Sequence, residues 1–148
     1  MPPRPILPPV RAVFRAVVET VVPRAGAFGD AEWSRGEALV EEMLADRPAS
    51  VRRQLSAFLR LVEFLAMLRT GRRFSRLAPP GRLRFLRSLE RSRLLLLRRG
   101  VWGVRTLGFL AVYGQDPVRA HIGYRPDPRG WEARPGAATA ATHGEGGG

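Results

Sequence analysis

Apolar residues return every three or four positions at the start of the chain: Val10, Val13, Phe14, Val17, Val18, Val21 and Val22. That spacing lines one face of a helix, which begins near Pro9 and must end before Pro23, because proline cannot continue it. A loop from Arg24 to Gly29 follows. Asp30 then stands where the N-cap of a second helix belongs, with Glu32 in the first turn favoured by the positive end of the helix dipole. This helix runs to about Ala45, is stopped by Pro48, and has Trp33, Val40, Met43 and Leu44 as its apolar face. A third helix, capped by Ser50, keeps Val51, Leu55, Phe58, Leu59, Val62, Leu65 and Leu68 in register and ends at Gly71, the residue type most at ease in a left-handed helix end.

Phe74 and Leu77 anchor a short connection, after which Pro79 and Pro80 open a fourth helix carrying Leu83, Phe85, Leu86 and Leu89. A break is expected at Arg91 to Arg93. From Leu94 to Tyr113 the chain is apolar on most faces, which predicts a central helix. Gly100, Gly103 and Gly108 lower its intrinsic propensity by about 1 kcal/mol each, so close helix contact is the expected reason for them. Asp116 and Pro117 then form another cap and first-turn pair, with a single turn over Val118 to Ile122 leading into Gly123 and Tyr124. No segment alternates with strand period. The fold class expected is all-α: a compact bundle of about five helices over residues 9–128, after a flexible N-terminus at 1–8 and before a disordered Gly/Ala/Pro-rich tail at 129–148.

A chain of 148 residues that is 45% hydrophobic encloses one core and has no room for a second ordinary domain. Zero cysteines exclude disulfides, thiolate metal sites and cysteine nucleophiles, and His121 and His143 are too few for a histidine zinc site. The run Leu94 to Tyr113 is long enough to cross a bilayer. However, Arg98, Arg99 and Arg105 would lie within it at a cost of roughly 2.5–3.5 kcal/mol each at its centre, so a buried helix is the better reading. No signal peptide or twin-arginine motif is recognisable, which gives a cytoplasmic location as the expectation and leaves export alongside a partner open.

The net charge of +12 is regional. Residues 1–50 carry six arginines and seven acids, residues 106–148 four of each, and residues 51–105 fifteen arginines against only Glu63 and Glu90. Every basic residue is arginine, so part of the excess reflects compositional bias. The rest offers a face for an acidic protein, for nucleic acid or for an anionic membrane.

Candidate chemistry is sparse. His121 has no recognisable nucleophile or orienting carboxylate, so a structural or interface role is expected of it. Glu37 and Glu41 sit one helical turn apart, an arrangement read as a solvated acidic face or as a partner for arginines on a neighbouring helix. Gly100, Gly103 and Gly108 do not follow a strand and lack dinucleotide spacing. An arginine-rich helical nucleic-acid-binding protein is the alternative function, although the chain shows neither a helix-turn-helix signature nor interleaved exposed aromatics.

The order of features nevertheless has a family likeness. Glu19-Thr20-Val21-Val22-Pro23, Gly71-Arg72-Arg73-Phe74-Ser75-Arg76-Leu77, the Leu83 to Ser92 segment LRFLRSLERS, the Gly-Val-Trp-Gly-Val-Arg-Thr-Leu run from Gly100, and Tyr113 with Asp116-Pro117 and Ile122-Gly123-Tyr124-Arg125-Pro126 together resemble the gluconate 2-dehydrogenase subunit 3 family. The resemblance spans residues 10–128. It implies a non-catalytic accessory subunit of a large FAD-dependent oxidoreductase of the glucose-methanol-choline (GMC) class. The flavin and the catalytic residues would then lie in the partner, and this chain would bind no cofactor or metal itself. Neither nucleic acid nor membrane is an expected partner under that reading. The expected contact surface is Arg98, Arg99, Trp102, Tyr113, His121 and Tyr124, since aromatic and arginine side chains dominate protein interfaces.

Overall fold

The computed structural model describes residues 3–115, and within them the chain is all-α. Five α-helices follow in order: α1 (Arg11–Val21), α2 (Asp30–Ala45), α3 (Ala49–Thr70), α4 (Pro79–Glu90) and α5 (Leu95–Tyr113). Short 3-10 turns occupy Pro8–Val10, Pro23–Ala27 and Phe74–Arg76. The expected Asp116–Pro117 cap, the turn that follows it, and the tail all lie outside the described residues.

The core is a single cluster to which every helix contributes. Phe14, Val17 and Val18 of α1, Val40 of α2, Leu59 and Val62 of α3, Leu89 of α4, and Val101, Val104 and Val112 of α5 are almost wholly enclosed, together with Phe74 from the α3–α4 connection. α5 packs on α1, α2, α3 and α4 and so is the central element expected of it. Two of its glycines explain the closeness. A side chain at Gly100 would stand 2.3 Å from the Phe58 ring, and one at Gly108 would stand 3.2 Å from Val18. Gly103 is different: nothing lies within 4 Å of the place a Cβ would take, so the expected close contact is not there.

A further close approach joins α2 to α5. Gly36 is buried with its Cα against the Ala111 carbonyl, 2.6 Å from where a Cβ would be. Beside it the buried Gln115 side chain donates to the Glu32 carbonyl at 2.9 Å and to the Ala111 carbonyl at 2.7 Å. These bonds occupy polar groups that burial would otherwise leave unpaired.

Several local expectations are corrected. The domain begins before residue 9: Leu7 is buried, and Glu41 Oε1 accepts the Ile6 and Leu7 amides at 2.8 and 2.7 Å, so this stretch is tied to α2 and is not a flexible start. Gly29, not Asp30, is the N-cap of α2, because its extended backbone lets Glu32 Oε2 reach back to its amide at 2.9 Å. Ser50 lies inside α3; Pro48 precedes the helix, and its carbonyl accepts from the amides of Val51 and Arg52. Val51 and Leu68 are exposed, so the buried stripe of α3 is narrower than its apolar pattern. Gly71 ends α3 with φ at +72°, as expected of a left-handed C-terminal glycine.

Glu37 resolves in favour of pairing. It is buried and receives Arg11 Nε at 3.0 Å and Arg15 Nε at 2.6 Å, which locks α1 to α2. Arg15 also lies over the Trp33 ring, 5.1 Å from its centre.

Candidate interaction surface

α5 is apolar around much of its circumference and can bury only part of it. Leu97, Val101, Val104, Leu107, Gly108, Ala111 and Val112 face the core. On the opposite side Leu95, Arg99, Trp102, Thr106, Phe109 and Tyr113 follow one another at alternating steps of four and three, the spacing of a seam that another element can cover. Among the described residues no helix of the chain covers this seam. Trp102 is 68% exposed, Leu95 53% and Phe109 44%.

The seam has internal order. Phe109 and Tyr113 stack with ring centres 5.9 Å apart and planes 20° from parallel, and Tyr113 is half-buried against the core. Thr106 turns its hydroxyl back onto the Trp102 carbonyl, donating to it at 3.0 Å. At the other end Leu95, Arg98, Arg99, Trp102 and Arg105 line a shallow open depression with Glu90 of α4. Arg105 Nη1 lies 3.3 Å from Glu90 Oε1, which holds that wall.

Cationic groups are numerous on the surface, and Arg98, Arg99 and Arg105 stand in or beside the seam. Of the arginines in the basic middle of the chain, Arg72, Arg73, Arg76, Arg84, Arg87, Arg91, Arg93, Arg98 and Arg99 are exposed. Arg82 alone among its neighbours is drawn inward, with Glu19 Oε2 at 3.1 Å and the Ser75 carbonyl at 2.6 Å. No group of three or more histidine, aspartate or glutamate side chains stands close enough to hold a metal ion among the described residues.

Of the surface expected from the sequence, Arg98, Arg99 and Trp102 are brought together in the depression. Tyr113 lies at the far end of the same seam. His121 and Tyr124 lie outside the described residues. Sequence reasoning missed Leu95 and Phe109, which share the seam with Trp102. Their signal was present as the four-and-three spacing, but a second stripe of equal regularity runs along the buried side. No helix among the described residues is long and apolar enough to cross a membrane. Compared with known families, curated proteins and solved structures, the chain matches none.

Proposed function

We propose that this chain is a non-catalytic accessory subunit that docks a large FAD-dependent oxidoreductase of the GMC class through the outward seam of α5. One observation carries the docking role: Leu95, Trp102 and Phe109 stand in water at helical register, with Arg98 and Arg99 beside them. Covering apolar surface is favourable by about 25 cal/mol per Å². Large aromatic and arginine side chains are also the ones that concentrate binding energy. The identity of the partner rests on the likeness in residue order to the gluconate 2-dehydrogenase subunit 3 family. In this reading the partner holds the flavin.

Co-expression with a flavoprotein encoded beside it tests the proposal. A yellow complex of fixed stoichiometry is expected. Trp102→Ala should weaken it by about 2 kcal/mol or more while leaving the helix content of the free chain unchanged. Recovery of the chain alone and colourless under gentle conditions would count against the proposal. Tight binding to a nucleic-acid duplex that collapses between about 50 and 200 mM salt would favour the alternative function instead.

A further inference from the structure

The first turn of α5 is exposed on more than one side. Leu94, at the N-cap, is 65% exposed, Leu95 53% and Leu96 72%. Successive helical residues are rotated by about 100°, so Leu95 and Leu96 point to different sides of the helix. Neither points to the core, which Leu97 enters. A partner helix laid along the seam covers Leu95 and leaves Leu96 in water. What covers all of them must surround the helix end.

This corner is firmly built. Ser92 Oγ accepts the Leu94 amide at 3.1 Å, the Leu94 carbonyl accepts the amides of Leu97 and Arg98, and the Arg91 amide donates to the Arg87 carbonyl at 3.1 Å. The leucines are therefore held outward by hydrogen-bonded backbone, with Leu97 fastened in the core next to them.

Arginines flank the leucines along the chain. Arg91 and Arg93 precede them, and Arg98 and Arg99 follow one helical turn later, about 5.4 Å along the axis. All four are exposed, and among the described residues no carboxylate lies within ion-pair distance of them. An apolar tip bordered by guanidinium groups matches the layering of an anionic bilayer, in which lipid phosphates lie above the acyl boundary. Arginine stems are long enough to lie along the apolar layer while their heads reach the phosphates. Nucleic acid would satisfy the arginines and give the leucines nothing to contact. A second copy of the corner would set arginine against arginine.

We propose that the α4–α5 corner binds the surface of anionic membranes, with Leu94, Leu95 and Leu96 entering the acyl boundary and Arg91, Arg93, Arg98 and Arg99 on lipid phosphates. The contact is peripheral; it rests on the corner's own exposed leucines and arginines, although Leu95, Arg98 and Arg99 also belong to the proposed flavoprotein seam.

Flotation of the full chain with phosphatidylcholine vesicles, with and without phosphatidylserine, tests it. The chain should float only with the anionic vesicles. The combined Leu94→Ser, Leu95→Ser and Leu96→Ser variant should lose at least about tenfold in binding, from the apolar area removed. Because these positions are exposed, its circular dichroism should match that of the parent. Arg98→Gln and Arg99→Gln should each cost about fivefold, the equivalent of about 1 kcal/mol per basic residue at such a surface. Phe109→Ala, about 20 Å further along α5, should float like the parent. The proposal is overturned if the parent binds neither vesicle, if the leucine variant floats as well as the parent, or if Phe109→Ala loses flotation.

Discussion

The α1–α2 side of the molecule and the α4–α5 corner use arginine in opposite ways. In the first, Arg11 and Arg15 converge on the buried carboxylate of Glu37, and Glu41 ties down the amides of Ile6 and Leu7. Charge there is consumed internally and fastens elements together. In the second, only Glu63 and Glu90 accompany the fifteen arginines of residues 51–105. Arg82 and Arg105 find carboxylates, while Arg91, Arg93, Arg98 and Arg99 face solvent beside exposed leucines and Trp102. One side of the domain is closed on itself. The other presents apolar and cationic groups together to solvent.

That contrast can be broken by substitution. The largest effect is expected on the closed side: Phe14→Ala removes a fully enclosed ring and should lower stability by about 3–5 kcal/mol in denaturant unfolding. Glu37→Ala should cost about 2 kcal/mol in the same measurement, because two charge-assisted bonds between α1 and α2 are lost. Its rescue by Glu37→Gln should be incomplete, since a neutral amide cannot serve as an ion-pair partner to Arg11 and Arg15.

Gly100 and Gly103 sharpen the comparison within α5 itself. Gly103→Ala should raise stability by about 1 kcal/mol, as its Cβ meets open space and helix propensity improves. Gly100→Ala gains the same propensity but drives a methyl group into the Phe58 ring, so its thermal midpoint should fall instead. The smallest effect belongs to the open side: Trp102→Ala should change the stability of the isolated chain by less than about 0.5 kcal/mol, despite removing the largest side chain on α5. A large loss there would show that Trp102 supports the fold and would leave the seam without its anchor.

Much of the fold was legible because local rules and tertiary packing agree. The valines of α1 recur at helical spacing and are buried nearly throughout; Gly71 ends α3, and the break at Arg91 to Arg93 separates α4 from α5. The caps were less legible. Asp30 and Ser50 are good capping residues by type, but Gly29 and Pro48 already hold the extended backbone that must precede a helix. The candidate surface was legible in part. Arg98, Arg99 and Trp102 were expected together, whereas Leu94, Leu95, Leu96 and Phe109 were hidden in an apolar run that reads as core.

What the order of residues determines alone is the number and placement of the helices and the crowding of arginine into residues 51–105, because periodicity, proline, glycine and charge act over a few neighbouring positions. It does not determine which side of α5 is inside. Two regular stripes lie along that helix, and the choice between them falls to α1, α2 and α3, whose close approach at Gly36, Gly100 and Gly108 admits one face and turns the other outward.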